Sequence, residues 1–353
     1  MTKTLRVALL FGGRSAEHDV SLMSARNVFR ALDSARYEVV LIGVTRAGAW
    51  IFCPAEKDIP QRVPEEGTLV TLLPGGGGRF VASGAEPPAP VDVIFPVLHG
   101  PFGEDGSVQG FAELAGVPFV GPGIFASAAA MDKDAAKRLM REAGLPVARG
   151  RAVIAGDPRP SFAELAAELG RPLFVKPARL GSSVGVGKAD SPEELEAALT
   201  DAFRHDRKIL IEECVRGREV ECGVLEGEDG ALLASLPGEI VPTNRHAFYT
   251  YEAKYLDKDG AELKVPADLS KALVTRVQEM SVKAFRALGC EAMARVDFFL
   301  CEDERLVINE VNTIPGFTDI SMYPLAFAAS GIPSSELVDR LIRHALARAE
   351  SAP

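Results

Sequence analysis

A mixed α/β fold, opening on a parallel sheet and continuing into two smaller units, is what the 353-residue sequence predicts. Three observations carry that expectation. Near-continuous apolar runs alternate with amphipathic helical stretches through the first third, the pattern of a parallel sheet covered on both faces. Helix-start signatures separate short strands in the middle of the chain. The last third holds a long hairpin and a closing helix. At about 100–200 residues per domain the length allows two or three domains, placed at residues 1–125, 126–216 and 217–353.

The first strand, "RVALLF" (6–11), ends at Gly12 and Gly13 and leads through "GGRSAEHDVS" into a helix near 21–32. "YEVVLIGV" and "VDVIFPVLHG" read as further strands and "SVQGFAELAG" as a helix. Residues 54–90, with "PGGGG" and "EPPAP", read as an irregular surface excursion. "MDKDAAKRLMREAGLP" reads as a helix stopped by Gly144 and Pro146, and it opens the second unit. Two capping boxes follow, Ser161 with Glu164, and Ser191 with Pro192 and Glu194. The strands "PLFVK" and "KILIEECV" lie between and after them, in a unit of mixed pairing. Further on, "EVECGVL" and "ALLASL" alternate as strands, a helix covers 272–288, and "ARVDFFLCEDERLVINEVN" reads as a hairpin. In the closing helix Leu337, Val338, Leu341, Ile342, Ala345 and Leu346 form an apolar stripe at helical spacing, which is core packing.

Composition excludes several classes. The net charge of −10 argues against nucleic-acid binding, because an acidic surface repels a phosphate backbone. Five cysteines with no C-x-x-C pair support neither a disulfide framework nor a zinc site, and they read as reduced thiols in the cytoplasm. The uncharged stretch from Leu114 to Met131 is broken by Gly116, Pro118, Gly121, Pro122 and Gly123, so it does not read as a membrane span.

Three glycine-rich segments compete as phosphate or nucleotide sites. "GSSVGVGKA" fails the P-loop pattern, with Ser182 at the first glycine position and Ala189 at the hydroxyl position. "GPGIFA" (121–126) has the dinucleotide spacing, but no strand ending in an acidic residue follows about 20 positions on, where the chain reads as helix, and it reads better as a turn into a helix. The segment 181–187, with Gly181, Gly185 and Gly187, reads as the tight loop of a hairpin, either purely structural or closing its backbone N–H groups over phosphates.

The C-terminal hairpin carries a sharper signal. Arg295 and Asp297 share one face of a strand, Glu310 and Asn312 share one face of the next, and a turn at "CEDER" sets Asp297 opposite Glu310. Two carboxylates and an amide are hard oxygen ligands suited to magnesium. A solvated strand face would carry Lys or Thr rather than this cluster.

The segments "FGGRSAEHDVS", "LHGPFGEDGSVQG", "MDK", "FVKPARLGSSVGVGK", "YEAKY" and "ARVDFF…NEVNTIPGFT", in this order, closely resemble the D-alanine–D-alanine ligase family of the ATP-grasp superfamily. The resemblance spans nearly the whole chain except 54–90 and the last few residues. It implies an ATP-grasp architecture: an N-terminal parallel-sheet domain that binds substrate, a small central domain, and a C-terminal domain with the metal site. ATP would lie between the last two, with Lys133, Lys176, Ser182 and Ser183 at its phosphates under the 181–187 loop. Glu212, Glu213 and Val215 would meet the adenine and Glu219 the ribose.

The implied reaction has two steps. The carboxylate of one D-alanine attacks the γ-phosphate, and the amine of a second displaces phosphate from the acyl phosphate. Two magnesium ions, or manganese in their place, would sit on Asp297, Glu310 and Asn312, while Arg295 and the N–H of Gly316 would stabilise the oxyanion. Glu17 would hold the first ammonium with His99 nearby; a helix-start carboxylate favoured by the macrodipole is the other reading of Glu17. Lys254 and Ser321 would bind the second carboxylate, and Ser182 and Tyr255 would complete a hydrogen-bonded group with Glu17. "HAFYTYEAKY" reads either as a surface loop or as a lid that keeps water from the acyl phosphate. The resemblance also implies a homodimer, and it leaves open a ligase for D-serine or D-lactate. The non-ligase rivals are an NAD-dependent oxidoreductase using "GPGIFA" and a nucleotide-binding regulator.

Overall fold

The computed structural model describes residues 4–54, 58–182, 184–242 and 261–351. Its first sheet has six strands: β1 (Leu5–Gly12), β2 (Tyr37–Val44), β3 (Trp50–Cys53), β4 (Thr68–Leu72), β5 (Phe80–Ala82) and β6 (Val93–Val97), in the order β5-β4-β3-β2-β1-β6. Only β2, β1 and β6 run parallel, whereas β3, β4 and β5 add antiparallel pairs. The three strands read from the sequence, β1, β2 and β6, are parallel as expected, and only the extent of the sheet is corrected. So is the irregular excursion: it supplies β4 and β5, and Ile59, Val63, Val70, Leu72 and Phe80 are buried. Its glycine and proline runs mask the short alternating strands between them.

Helix α1 (His18–Ala31) crosses from β1 to β2 and starts three residues earlier than the pattern suggests. Helices α2 (Ser107–Ala115) and α3 (Ile124–Met131) follow β6, and α3 starts at the Gly123 turn as the bland reading of "GPGIFA" requires. Asp132 then ends α3 and caps α4 (Lys133–Glu142), accepting a hydrogen bond from the Ala135 N–H. Two helices thus meet where one was expected to begin.

The second sheet joins β7 (Gly150–Ile154), β8 (Leu173–Pro177), β9 (Gly187–Ala189) and β10 (Lys208–Glu213) in the order β7-β10-β8-β9. Every pair is antiparallel, which corrects the expected mixed pairing. Its buried face (Val153, Leu173, Val175, Ile209, Ile211) packs on α5 (Phe162–Leu169) and α6 (Pro192–Ala202). The Ser161 box is complete, but at α6 the Glu194 carboxylate reaches the Asp190 N–H, so only the Ser191 half forms there.

The third sheet contains β11 (Arg218–Glu226), β12 (Leu232–Ala234), β13 (Gly238–Pro242), β14 (Ala261–Lys264), β15 (Met293–Leu300) and β16 (Leu306–Asn312). Helix α7 (Lys271–Ala287) covers its apolar face with Leu273, Val277, Ala284 and Phe285. Helix α8 (Met322–Ala329) and α9 (Ser334–Ser351) close the chain. The α9 stripe is buried as expected, yet it joins the core of the first sheet, alongside Val7, Leu9, Phe95 and Val97. The C-terminal helix therefore ties the last unit to the first. Arg348 fastens the same contact, donating to the carbonyls of Phe119 (2.9 Å) and Gly121 (2.9 Å).

Candidate active site

The first unit brings its chemistry to the carboxyl ends of its parallel strands. The chain leaves β1 towards β2 on one side while β6 lies on the other, and such a switch point opens a crevice at the strand ends. Glu17 follows β1 and His99 follows β6, so both stand at that crevice. Close approach requires glycine here: at Gly12 (φ +93°) a Cβ would meet the Val44 carbonyl oxygen at 2.4 Å, and at Gly100 (φ +71°) the Glu17 Oε2 at 2.9 Å. Ser21 braces the two strands, accepting from the Gly12 N–H at 2.8 Å and donating to the Val97 carbonyl.

Glu17 occupies the N-cap position of α1 without capping it. Its carboxylate instead accepts the hydroxyl proton of Ser182 from the loop between β8 and β9, a contact 165 residues away in sequence. Ser182 adopts φ +51°, a left-handed conformation uncommon for a side chain with a Cβ. The macrodipole reading accounts for Glu17 at the helix start but not for its contact with Ser182.

His99 is buried among groups from both ends of the chain, and burial pulls its pKa below the ordinary imidazole value. The ring is therefore neutral at pH 7. Since the Ile314 carbonyl 3.1 Å from Nδ1 can only accept, the ring proton lies on Nδ1. Nε2 then accepts from Ser24 of α1 at 3.1 Å, whose oxygen accepts the Phe317 N–H at 3.1 Å. This chain fastens the 313–318 segment, which follows β16, to the first unit.

The third sheet supplies a polar row. Glu221 of β11, Asp297 of β15 and Glu310 of β16 stand opposite one another, and Arg295 stands opposite Asn312 in the next row. A β-bulge after Asp297 makes this possible. In a regular strand Ile308, Glu310 and Asn312 would share a face; the extra residue Asn309 lets Ile308 pair with Phe298 in the core while Glu310 faces the site. Arg295 spans both oxygens of Asp297 (2.8 Å each) and also pairs with Glu221 at 2.8 Å. Asn312 donates to Asp297 at 2.9 Å.

The second unit contributes lysines. Lys133, at the start of α4, donates to the Leu180 carbonyl at 2.7 Å and pairs with Glu310 at 3.3 Å, linking the glycine loop to the carboxylate row. Lys176 of β8 pairs with Glu212 of β10 at 2.5 Å, and Lys137 of α4 takes the other Glu212 oxygen.

One cavity gathers Glu17, His99, Lys133, Gly181, Ser182, Arg295, Glu310, Asn312 and Gly316, which come from all three sheets and their connections. Ser321 lies just behind it, its hydroxyl 2.8 Å from the Thr318 hydroxyl and under Gly316. The adenine and ribose candidates stand elsewhere. Glu213 pairs with Arg149 at 2.7 Å and uses its N–H on the Arg149 carbonyl, Val215 packs with Ala148, Cys301 and Val307, and Glu219 lies on β11 opposite Phe299. Ser183, Lys254 and Tyr255 lie outside the described residues.

Sequence reasoning passed over Glu104, which lines the same cavity. Its carboxyl accepts the Gly100 N–H at 2.6 Å, and burial, reinforced by the charge of Glu17, pushes its pKa up to about 8. Within "GEDG" it reads as a turn residue, so no local pattern marks it.

Residues 6–122 match the family model described as the D-ala D-ala ligase N-terminus, and residues 139–343 match the model of the D-ala D-ala ligase C-terminus. The chain belongs to the D-alanine–D-alanine ligase family. It is 60% identical to a D-alanine–D-alanine ligase A of Mesorhizobium japonicum, across 99% of both chains. Among solved structures it is similar to the VanG D-Ala:D-Ser ligase of Enterococcus faecalis (TM-score 0.84, 36% identity, 96% of this chain and 99% of that one). It is also similar to a D-alanine–D-alanine ligase of Bacillus anthracis complexed with ATP (TM-score 0.73, 27% identity, 98% and 99%). The mixed α/β architecture is that of an ATP-grasp ligase, as the sequence motifs imply.

Proposed function

We propose that this protein joins two D-alanines at the expense of ATP, through a D-alanyl phosphate, in the synthesis of peptidoglycan precursors. The observation that carries this reading is the convergence of Glu17, Ser182, Arg295 and Glu310 in one cavity, together with the full-length likeness to a D-alanine–D-alanine ligase. An acidic Glu17 beside a hydroxyl suits an ammonium group. Arg295 suits the developing oxyanion, with the Gly316 N–H beside it in the cavity wall. Lys133 and Lys176 would neutralise phosphate charge, and Ser321, at the N-terminus of α8, would receive the second carboxylate together with Lys254. Ser183 belongs with the phosphate-facing loop, Tyr255 with Glu17 and Ser182, and Glu212, Glu213, Val215 and Glu219 with the nucleoside.

Asp297, Glu310 and Asn312 are fit to hold magnesium. They offer hard oxygens on adjacent strands. Bound there, the metal would supply charge neutralisation to the transferring phosphoryl group. Arg295 already holds Asp297 in place for it.

The division into residues 1–125, 126–216 and 217–353 fits the order of the three sheets, with α9 as the strap between the outer two. A cytoplasmic location fits the need for ATP and five free cysteines, and no helix among the described residues is long and apolar enough to cross a membrane. A homodimer fits the exposed Leu114, Ile124 and Phe125 on α2 and α3. Product analysis by mass, with phosphate release, tests the activity. D-alanyl-D-alanine formed from D-alanine, ATP and magnesium and not from L-alanine is the expected result. Phosphate release with D-serine or D-lactate as the preferred acceptor would overturn the acceptor assignment.

A further inference from the structure

Helix α4 presents two lysines on one face, one turn apart, and only the first has a place in the reaction described above. Lys137 is 2% exposed and pairs with Glu212, whose other oxygen holds Lys176 at 2.5 Å. Glu212 and Lys176 are a diagonal cross-strand pair, since Lys176 stands opposite Leu210 and Glu212 lies two residues further along β10 on the same face. Two ammonium groups thus share one buried carboxylate. Burial, and next the charge of Lys176, push the Lys137 pKa down to about 8. Glu310 is the further carboxylate whose charge reaches Lys137.

We propose that Lys137 is a positioning residue for nucleotide binding: by occupying one oxygen of Glu212 it keeps that carboxylate from drawing Lys176 away from the phosphates. The inference rests on the ATP reading above and assigns a role to a residue that touches no substrate. Without Lys137, both oxygens of Glu212 fall to Lys176, and the phosphates face a neutralised lysine.

The test is direct binding of ATP and of a non-hydrolysable ATP analogue to the full-length protein, with KM for ATP and for D-alanine measured alongside. Lys137→Met and Lys137→Gln are expected to weaken nucleotide binding about tenfold or more, with KM for D-alanine little changed. Lys137→Arg, which keeps the charge, should bind ATP nearly as the parent does. Unchanged ATP binding in Lys137→Met and Lys137→Gln, or an equal loss in Lys137→Arg, overturns the proposal. Failure of the unaltered protein to bind ATP at all would instead overturn the ATP reading. Should Lys137→Met not fold, the comparison of Lys137→Gln with Lys137→Arg decides.

Discussion

Replacing Ser182 with alanine removes one hydroxyl and leaves the backbone demand of the loop untouched. Alanine keeps the Cβ, so the cost of φ +51° is the same before and after the change. What is lost is the hydrogen bond to Glu17, the link between the glycine loop and the first unit. Hydrogen bonds to a charged group contribute about 1.5–3 kcal/mol, and Ser182 is only half-buried, so the lower end applies. At about 1.4 kcal/mol per factor of ten, this amounts to about a 10- to 30-fold loss. On the reading proposed above, in which Glu17 holds the amino acid, the loss should fall on kcat/KM for D-alanine, with KM for ATP within about threefold of the parent. A double-mutant cycle with Glu17→Gln isolates the pair, and a coupling of about 1 kcal/mol or more is expected. Additive losses, or equal losses for ATP and D-alanine, would refute the assignment.

Other perturbations follow from the same geometry. Asp297→Asn should lower turnover by about 10²-fold or more while thermal unfolding changes little, because Arg295 keeps Glu221 as a partner; an active variant refutes the metal role. Glu104 has a folded-state pKa of about 8, above that of the unfolded chain, so its contribution to stability is present below the ordinary carboxyl range and is lost as pH rises through about 8. Glu104→Gln should therefore gain melting temperature relative to the parent between pH 5 and pH 8, and parallel profiles would refute a raised pKa. Gly78→Ala should lower stability by about 1–3 kcal/mol, because its Cβ would lie 1.9 Å from the Val91 carbonyl oxygen at φ +82°. Denaturant unfolding that matches the parent would show that this turn yields.

What the sequence made legible was local. The apolar runs of β1, β2 and β6, the Ser161 cap and the stripe on α9 each rest on neighbours within a few residues, and each is found where the pattern puts it. The facing pair Asp297 and Glu310 was legible for the same reason, since a short turn fixes which residues meet. Partnership over distance was not. The Glu17–Ser182 contact joins groups 165 residues apart, and no periodicity encodes it. Glu212 shows the same limit: no local pattern places it between two lysines, one from α4 and one from β8.

The bulge at Asn309 shows why a correct local reading can still conceal a structural conflict. Period-two alternation puts Ile308 on the face of Glu310 and Asn312, so a regular β16 would expose Ile308 to the cavity or bury Glu310 against Phe285 and Phe298. Either arrangement fails, the first by leaving an apolar side chain among charges, the second by burying a carboxylate among apolar side chains. One extra residue resolves both, at the cost of a local break in the ladder. The site and the core of the third sheet are thus two sides of one constraint. The sheet can present Asp297, Glu310 and Asn312 on one face and bury Ile308 on the other because Asn309 lets the strand change face between its apolar half and its polar half.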